Sequence, residues 1–463
     1  MTSSLRAGAI ACLLLLSACA ARSARPSIST PSGPTTAELA AFWDAEHVST
    51  PWSPLVDHAD VERRVQALPA DLFTVRKAGE SVEGRAIYHV KMGAGSAPVL
   101  LWSQMHGDEP TATSALFDVF EFLGHHESDP IAARILDRLT IHVVPMLNPD
   151  GAERFQRRNA QGIDINRDAR RLVTPEARVL KQLRDEIEPM VGFNLHNQGW
   201  RTRAGMNPAS ISLLSVAYDQ AGSINAGRLL TKKLATSVRN ALQPLAGGRI
   251  GKYDDSFEPR AFGDKITLWG TPVLLIETGP WPDENPDPAL VRLNFIALVA
   301  ALDALATGRV HHEDPRRYDA LPMNDSGLFY RVIRGGQVLR GDGQPPFRAD
   351  VGIMAQRRVQ AREGARELWM RAGIEDVGDL STAPALFDID ATGLIVAPRV
   401  ADAAAGSEIE LPAWSEAKPA ELLVEQGSPA ALMLLRPIGG NRYRVERVID
   451  ATWRVGEEAE RGR

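Results

Sequence analysis

Short apolar runs alternate with helix-like stretches across residues 39–305, and several of the runs end in clusters of polar, chemically capable side chains. The runs 98–105, 139–147 and 272–276 are set among helical stretches at 111–123 and 175–186. Short apolar strands separated by helices predict an α/β sandwich around a largely buried sheet. In folds of that kind ligands sit beyond the strand ends, so the loops after the runs are the place to look for chemistry. The polar stretch 310–322 breaks the alternation. After it, residues 327–456 show short Val, Ile and Leu strands between Gly, Pro and Asp, which predicts a separate small all-β sandwich domain. No internal repeat is present.

At 463 residues and 44% hydrophobic content, the chain can bury two or three cores. Its 52 Lys and Arg against 58 Asp and Glu give a net charge of −6, so no basic surplus exists to hold nucleic acid. The two cysteines, Cys12 and Cys19, both lie in the first twenty residues. The folded part therefore has no disulfide, no cysteine nucleophile and no cysteine metal ligand.

Those cysteines fall in an export signal. Residues 1–18 combine Arg6 with the apolar run 7–16 and small residues, as a secretory signal peptide does. Leu16-Ser17-Ala18-Cys19 resembles a bacterial lipobox, in which Cys19 is lipidated and heads the mature chain. Ala20, in place of an aspartate, resembles lipoproteins forwarded to the outer membrane. The expectation is a protein on the periplasmic side of the envelope, touching membrane only through lipid at Cys19. No later segment has 18 uninterrupted apolar residues, so no membrane span is expected beyond the signal. The expected division is a signal at 1–18, a Ser/Pro-rich tether at 19–37, an α/β domain at 38–310 and a β-rich domain at 325–458.

The chemistry-bearing blocks lie in the α/β part. His106-Gly107-Asp108-Glu109 follows the run 98–105, and a His and a Glu three apart can reach one metal ion. The run 139–147 leads into Asn148-Pro149-Asp150-Gly151, then Arg157-Arg158-Asn159, then Asp164-Ile165-Asn166-Arg167. Further on come Asn194-Leu195-His196-Asn197 and Glu277-Thr278-Gly279. Each block ends a strand or opens a loop, so several could converge on one sheet edge.

Taken in order, these blocks resemble the zinc metallocarboxypeptidases, the carboxypeptidase A-like family, over roughly residues 75–305, a resemblance that implies a three-layer α/β/α sandwich with a mixed central sheet. The resemblance implies one zinc per chain on His106, Glu109 and His196, with one coordination position left open. It implies Glu277 as the base that takes the proton of water and passes it to the leaving amine. Arg157 would stabilise the oxyanion, with the adjacent Arg158 as the alternative. Asn166 and Arg167 would grip the substrate's terminal carboxylate, and Asp164 would orient the first zinc histidine. Tyr253 is the one tyrosine placed like the family's mobile tyrosine, although its surroundings differ from the family pattern. The pocket for the terminal side chain is expected within residues 256–269, with Phe262 and Asp264 as candidates.

The other histidines read as structural. His125-His126 follows a helix, His142 alternates within a strand, and His311-His312 lies in the polar stretch beside acids. The segment 329–398 resembles the small β-sandwich that flanks the barrel of amidohydrolases, with 429–435 and 443–449 as its returning strands. Arg399, Ala404 and Gly406 stand where that family has a glycine and a metal-binding histidine pair, and no His or Cys follows residue 312, so its metal site is excluded. The resulting expectation is an exported zinc carboxypeptidase acting on peptides or muropeptides. The alternatives are a same-fold zinc amidase or deacylase of N-acyl amino acids, and a non-catalytic binding lipoprotein.

Overall fold

A computed structural model of the chain describes residues 33–49, 55–362, 365–399, 403–411, 423–455 and 460–461. The signal peptide, Cys19 and most of the tether lie outside the described residues.

The α/β part is built on β1 (Phe73–Glu80), β2 (Ala86–Met92), β3 (Ala97–Trp102), β4 (Leu139–Val144) and β5 (Val191–Asn197). Two short strands, β6 (Arg203–Ala204) and β7 (Asn207–Pro208), precede β8 (Ile211–Ser215), β9 (Ile250–Lys252) and β10 (Val273–Thr278). Eight of them form one sheet in the order β1-β2-β4-β3-β5-β10-β8-β9. The central β4-β3-β5-β10 pairings are parallel, whereas β2 meets β4, and β10 meets β8, antiparallel. The sheet is therefore mixed.

The helices are α1 (Thr36–Glu46), α2 (His58–Gln66), α3 (Thr111–Gly124), α4 (Pro130–Arg138) and α5 (Pro149–Arg154). They continue as α6 (Pro175–Ile187), α7 (Ala226–Ala246), α8 (Phe262–Leu268), α9 (Asp287–Ala306) and α10 (Arg316–Asp319). Strand alternation decides which helices cover which face. Val99, Leu101, Phe193 and Ile276 pack with residues of α1, α3, α4, α7 and α9. Their neighbours Leu100, Trp102 and Leu275 point the other way, to α6 and α8. Both faces of β3, and of β10 before Glu277, are thus apolar, as expected of strands in the middle of a buried sheet. Helix α9 is long and apolar enough to cross a membrane, yet it is mostly buried in this core. Residues 310–322 pack on the same core, because Tyr318 is buried and its hydroxyl accepts the Ser215 N–H at 3.1 Å.

The C-terminal part is all β: β11 (Asn324–Asp325), β12 (Phe329–Val338), β13 (Phe347–Arg362), β14 (Ala365–Gly378), β15 (Ala385–Asp390) and β16 (Ile395–Pro398). It ends in β17 (Glu408–Glu410), β18 (Leu432–Gly439), β19 (Arg442–Ile449), β20 (Thr452–Arg454) and β21 (Glu460–Arg461). All but β11, which joins β6 and β7, belong to one ten-stranded hydrogen-bonded sheet. Leu328, Ile333, Ile353, Ile374 and Leu434 belong to its main apolar core.

This β region grips two loops of the α/β part. The loop after β5 is held by Asn324, which donates to Gln198 at 2.5 Å, and by an Arg201–Glu375 ion pair at 2.7 Å. Its Trp200 packs against the β core under the Arg357 guanidinium, 5.1 Å from the ring centre. The loop after β10 is held by Arg331 on Glu284 at 3.2 Å, and the start of α9 that follows it by Arg357 on Asp287 at 2.6 Å.

Candidate metal centre and substrate cleft

The site lies at the carboxyl ends of β3, β5 and β10, on the α8 side of the sheet. Leaving β3, the backbone of Gln104 takes a left-handed φ of 47°. That strain is held by hydrogen bonds from its side chain to Val56 O and Gly107 O, each at 3.1 Å, and by the Thr113 hydroxyl donating at 2.9 Å. The turn that follows presses on the start of α5: a Cβ on Gly107 would lie 1.9 Å from the Gly151 carbonyl carbon, so only glycine fits. These constraints place His106 and Glu109 at the sheet edge, both buried.

His196 comes from β5 and lies opposite Glu277 of β10 in the parallel register. Ligand atoms of His106, Glu109 and His196 all lie within 4.8 Å of one another. Nδ1 of His106 faces one Glu109 oxygen and Nδ1 of His196 the other, each at 2.7 Å. Nε2 of His106 faces Asp164 Oδ1 at 3.2 Å, a contact through which the carboxylate would take that N–H and turn Nδ1 to a metal ion when one is bound. Two imidazoles and one carboxylate, buried and convergent, fit a zinc ion.

The electrostatics agree with a cation-seeking cluster. Burial pushes the His106 imidazole down, but Glu109 and Asp164 outweigh it and lift it to about 9. Burial works against ionisation of Glu109, yet the two histidines hold its carboxyl well below the usual range. Glu277 is 8% exposed, with one carboxylate oxygen unbonded among the described residues. Burial, and then the neighbouring Glu109, push it well above the ordinary carboxyl range. A dication at the centre would pull it back down.

Around this centre runs a cleft of about 350 Å³ lined by Arg157, Asn166, Arg167, Tyr253 and Glu277 among others. Arg157 donates to Asp164 at 3.0 Å and approaches Glu109 at 3.4 Å. Its neighbour Arg158 turns away to Gly162 O at 3.0 Å, so of the pair it is Arg157 that lines the cleft. Asp164 caps the short 3-10 turn Ile165–Arg167 by accepting the Asn166 N–H at 2.9 Å, and the Asn166 and Arg167 side chains of that turn line the cleft. Asn166 spends its oxygen on the Phe262 N–H at 2.9 Å, leaving its amide nitrogen for a ligand. Tyr253 is half-buried, and burial, with Glu277 next, pushes its hydroxyl up to about 12.

Of the two pocket candidates, Asp264 lines the cleft, and burial raises its carboxyl to about 6. Phe262 does not: its ring is fully buried in the core beneath α8 with Ile266 and Trp269. Several lining residues were missed, Asn194, Leu214 and Leu275 among them. Asn194 lies two positions before His196 on β5, and period-two alternation alone places it on the same face. His89 and His142 are a buried pair, with Nε2 of the former 2.9 Å from Nδ1 of the latter. The pair 311–312 makes no metal cluster among the described residues.

Residues 60–211 match the zinc carboxypeptidase family. Among curated proteins, carboxypeptidase 2 of Trichophyton rubrum is 30% identical over 183 residues, 37% of this chain and 32% of that protein. Carboxypeptidase D of Mus musculus is 28% identical over 145 residues, 23% of this chain and 10% of that protein. The aligned part of the chain spans about a third of the length of the first-ranked curated relatives. A solved metallo-carboxypeptidase from Burkholderia cenocepacia aligns with 53% of this chain and 68% of its own, at 22% identity and a TM-score of 0.42.

Proposed function

We propose that this chain, which carries a zinc carboxypeptidase family segment at residues 60–211, is an exported metallocarboxypeptidase that removes C-terminal residues from peptides or muropeptides. The observation that carries the reading is the pairing of Glu277 with His196 across two parallel strands, in one cleft with Arg157, Asn166 and Arg167. Zinc, when bound by His106, Glu109 and His196, supplies Lewis-acid polarisation of the scissile carbonyl and acidifies water.

The chain's own residues divide the remaining work. Glu277 accepts the proton of the attacking water and delivers it to the leaving amine; its unbonded oxygen and its closeness to the metal ligands support that role. Arg157 offers guanidinium N–H donors to the oxygen on which negative charge develops. Arg167 and the free amide end of Asn166 hold the terminal carboxylate, a contact for which a planar guanidinium is well shaped. Tyr253 packs beside them as a further hydroxyl donor. Asp164 keeps His106 and Arg157 in register. Placement on the periplasmic side of the envelope through lipid on Cys19 completes the reading, resting on the sequence at 16–19.

Cleavage of matched peptides with free and amidated C-termini tests it. The wild type is expected to favour the free acids. Losing a charge-assisted contact in a closed site costs about 2–5 kcal/mol, so Arg167→Ala lowers kcat/KM on free acids by about 30-fold or more. Equal cleavage of free and amidated peptides by the wild type would point instead to an endopeptidase or amidase.

A further inference from the structure

Below the metal ligands the cleft has a floor that the proposed reaction does not use. Asn194, Leu275 and Leu214 stand side by side on β5, β10 and β8, one side-chain repeat before His196 and Glu277. Asn194 is 1% exposed, and neither its amide nitrogen nor its oxygen makes a hydrogen bond among the described residues. A buried carboxamide unbonded at both ends is destabilising until a ligand offers matching groups. The adjoining wall is the start of α8. A Cβ on Gly263 would lie 3.4 Å from the Asn194 amide nitrogen, and the next residue, Asp264, also lines the cleft. One Asp264 oxygen accepts the Glu258 N–H at 2.9 Å.

We propose that Asn194 determines specificity in this cleft and reads a terminal residue whose side chain ends in a carboxamide, glutamine or asparagine. The inference rests on the carboxypeptidase reading, because it has the residue enter with its α-carboxylate at Asn166 and Arg167. The substrate NH2 group then donates to the Asn194 oxygen and to Asp264, while its oxygen accepts from the Asn194 amide. Leucine or phenylalanine would leave Asn194 unpaired at both ends. Lysine and arginine bring donors only and leave the Asn194 N–H unmatched. Glutamate brings acceptors only and meets the Asp264 carboxyl.

Calorimetric titration of the zinc-loaded full chain with free L-glutamine, L-leucine and L-lysine tests the pocket apart from turnover. Release rates from N-acylated dipeptides ending in the same residues test it in catalysis. The wild type is expected to favour glutamine at least 10-fold in both. Asn194→Leu, close in size, should reverse the preference toward leucine by about 10- to 100-fold, the weight of unpaired buried polar groups. Asn194→Asp removes the donor and should shift preference toward lysine, so the proposal stays testable if the leucine variant fails to fold. A wild type that prefers leucine or lysine, or variants that leave the ranking unchanged, would overturn it. Glutamine-selective binding without peptide cleavage would sink the carboxypeptidase reaction and leave the Asn194 assignment standing. Cleavage without glutamine preference would do the reverse, and neither binding nor cleavage would overturn both.

Discussion

Asp164 is the residue on which the centre's geometry turns, and removing its carboxylate gives the sharpest test of that geometry. It accepts from three donors at once: His106 Nε2 at 3.2 Å, Arg157 Nε at 3.0 Å and the Asn166 backbone N–H at 2.9 Å. Asp164→Ala frees the His106 ring to rotate, loosens the turn that aims Asn166 and Arg167, and strips Arg157 of its anchor. Hydrogen bonds to a charged group contribute about 1.5–3 kcal/mol each. Loss of a carboxylate that orients a metal-bound histidine typically weakens metal affinity 10–100-fold. The expected result is zinc affinity lowered by about that factor in a competition titration against a fluorescent chelator. In the same variant kcat/KM should fall further than zinc loading explains, because Arg157 also loses its position. Asp164→Asn keeps one acceptor oxygen and the shape, so it should recover part of the zinc affinity. Wild-type affinity in a folded Asp164→Ala protein would refute the reasoning, since His106 would then need no partner at Nε2.

Further outcomes follow from other parts of the structure. Glu277→Gln should keep zinc and melting temperature while lowering kcat by about 10²–10⁴, and a near-normal rate would mean that another group moves the proton. His89 and His142 are neutral in the fold: burial, with His142 and Arg76 next for the first and Lys91 and Arg76 for the second, lowers them to about 3 and about 4. Between pH 6.5 and about 4 the unfolded chain takes up protons that the folded pair refuses, so stability falls as pH falls through that window. In urea unfolding at pH 7.5 and 4.5, the double variant His89→Gln/His142→Gln should show a smaller stability gap than wild type; an equal gap would remove the pair from the acid response. Cys19→Ser should shift the protein out of the membrane fraction or leave its precursor unprocessed, and unchanged fractionation would reject the lipid anchor.

The parts of this molecule that were legible in the sequence are those governed by local periodicity. The runs that became β3 and most of β10 are apolar on both faces, and Thr174, accepting from Ala177 N with Pro175 behind it, marks the start of α6 where the sequence predicts it. The metal cluster was legible because His106 and Glu109 share one turn and because His196 and Glu277 each end a strand. Asn194 needed only strand alternation to be found, but an asparagine has no obvious chemistry until its lack of partners is seen. Phe262 was misplaced because sequence position alone does not say which way the first residue of α8 turns. The Asn166 oxygen fixes its backbone N–H, and the ring goes inward to Trp269. The grip on Trp200 and Glu284 was invisible, since it joins residues far apart in the chain through single side chains.

That grip bears on the order in which the protein can be assembled. Asn324 lies 126 residues beyond Gln198, and Glu375 lies 174 beyond Arg201. At roughly 5–20 residues per second of synthesis, the loop that follows His196 exists for on the order of ten seconds before its fastener is made. Contacts that span so much chain also close slowly, because loop-closure entropy must be overcome first. The metal ligands are therefore all present early while the scaffold that steadies one of them arrives near the end. If His106, Glu109 and His196 hold zinc, tight capture is expected only once the C-terminal strands are complete, so a chain truncated before them should bind zinc more weakly than the full chain.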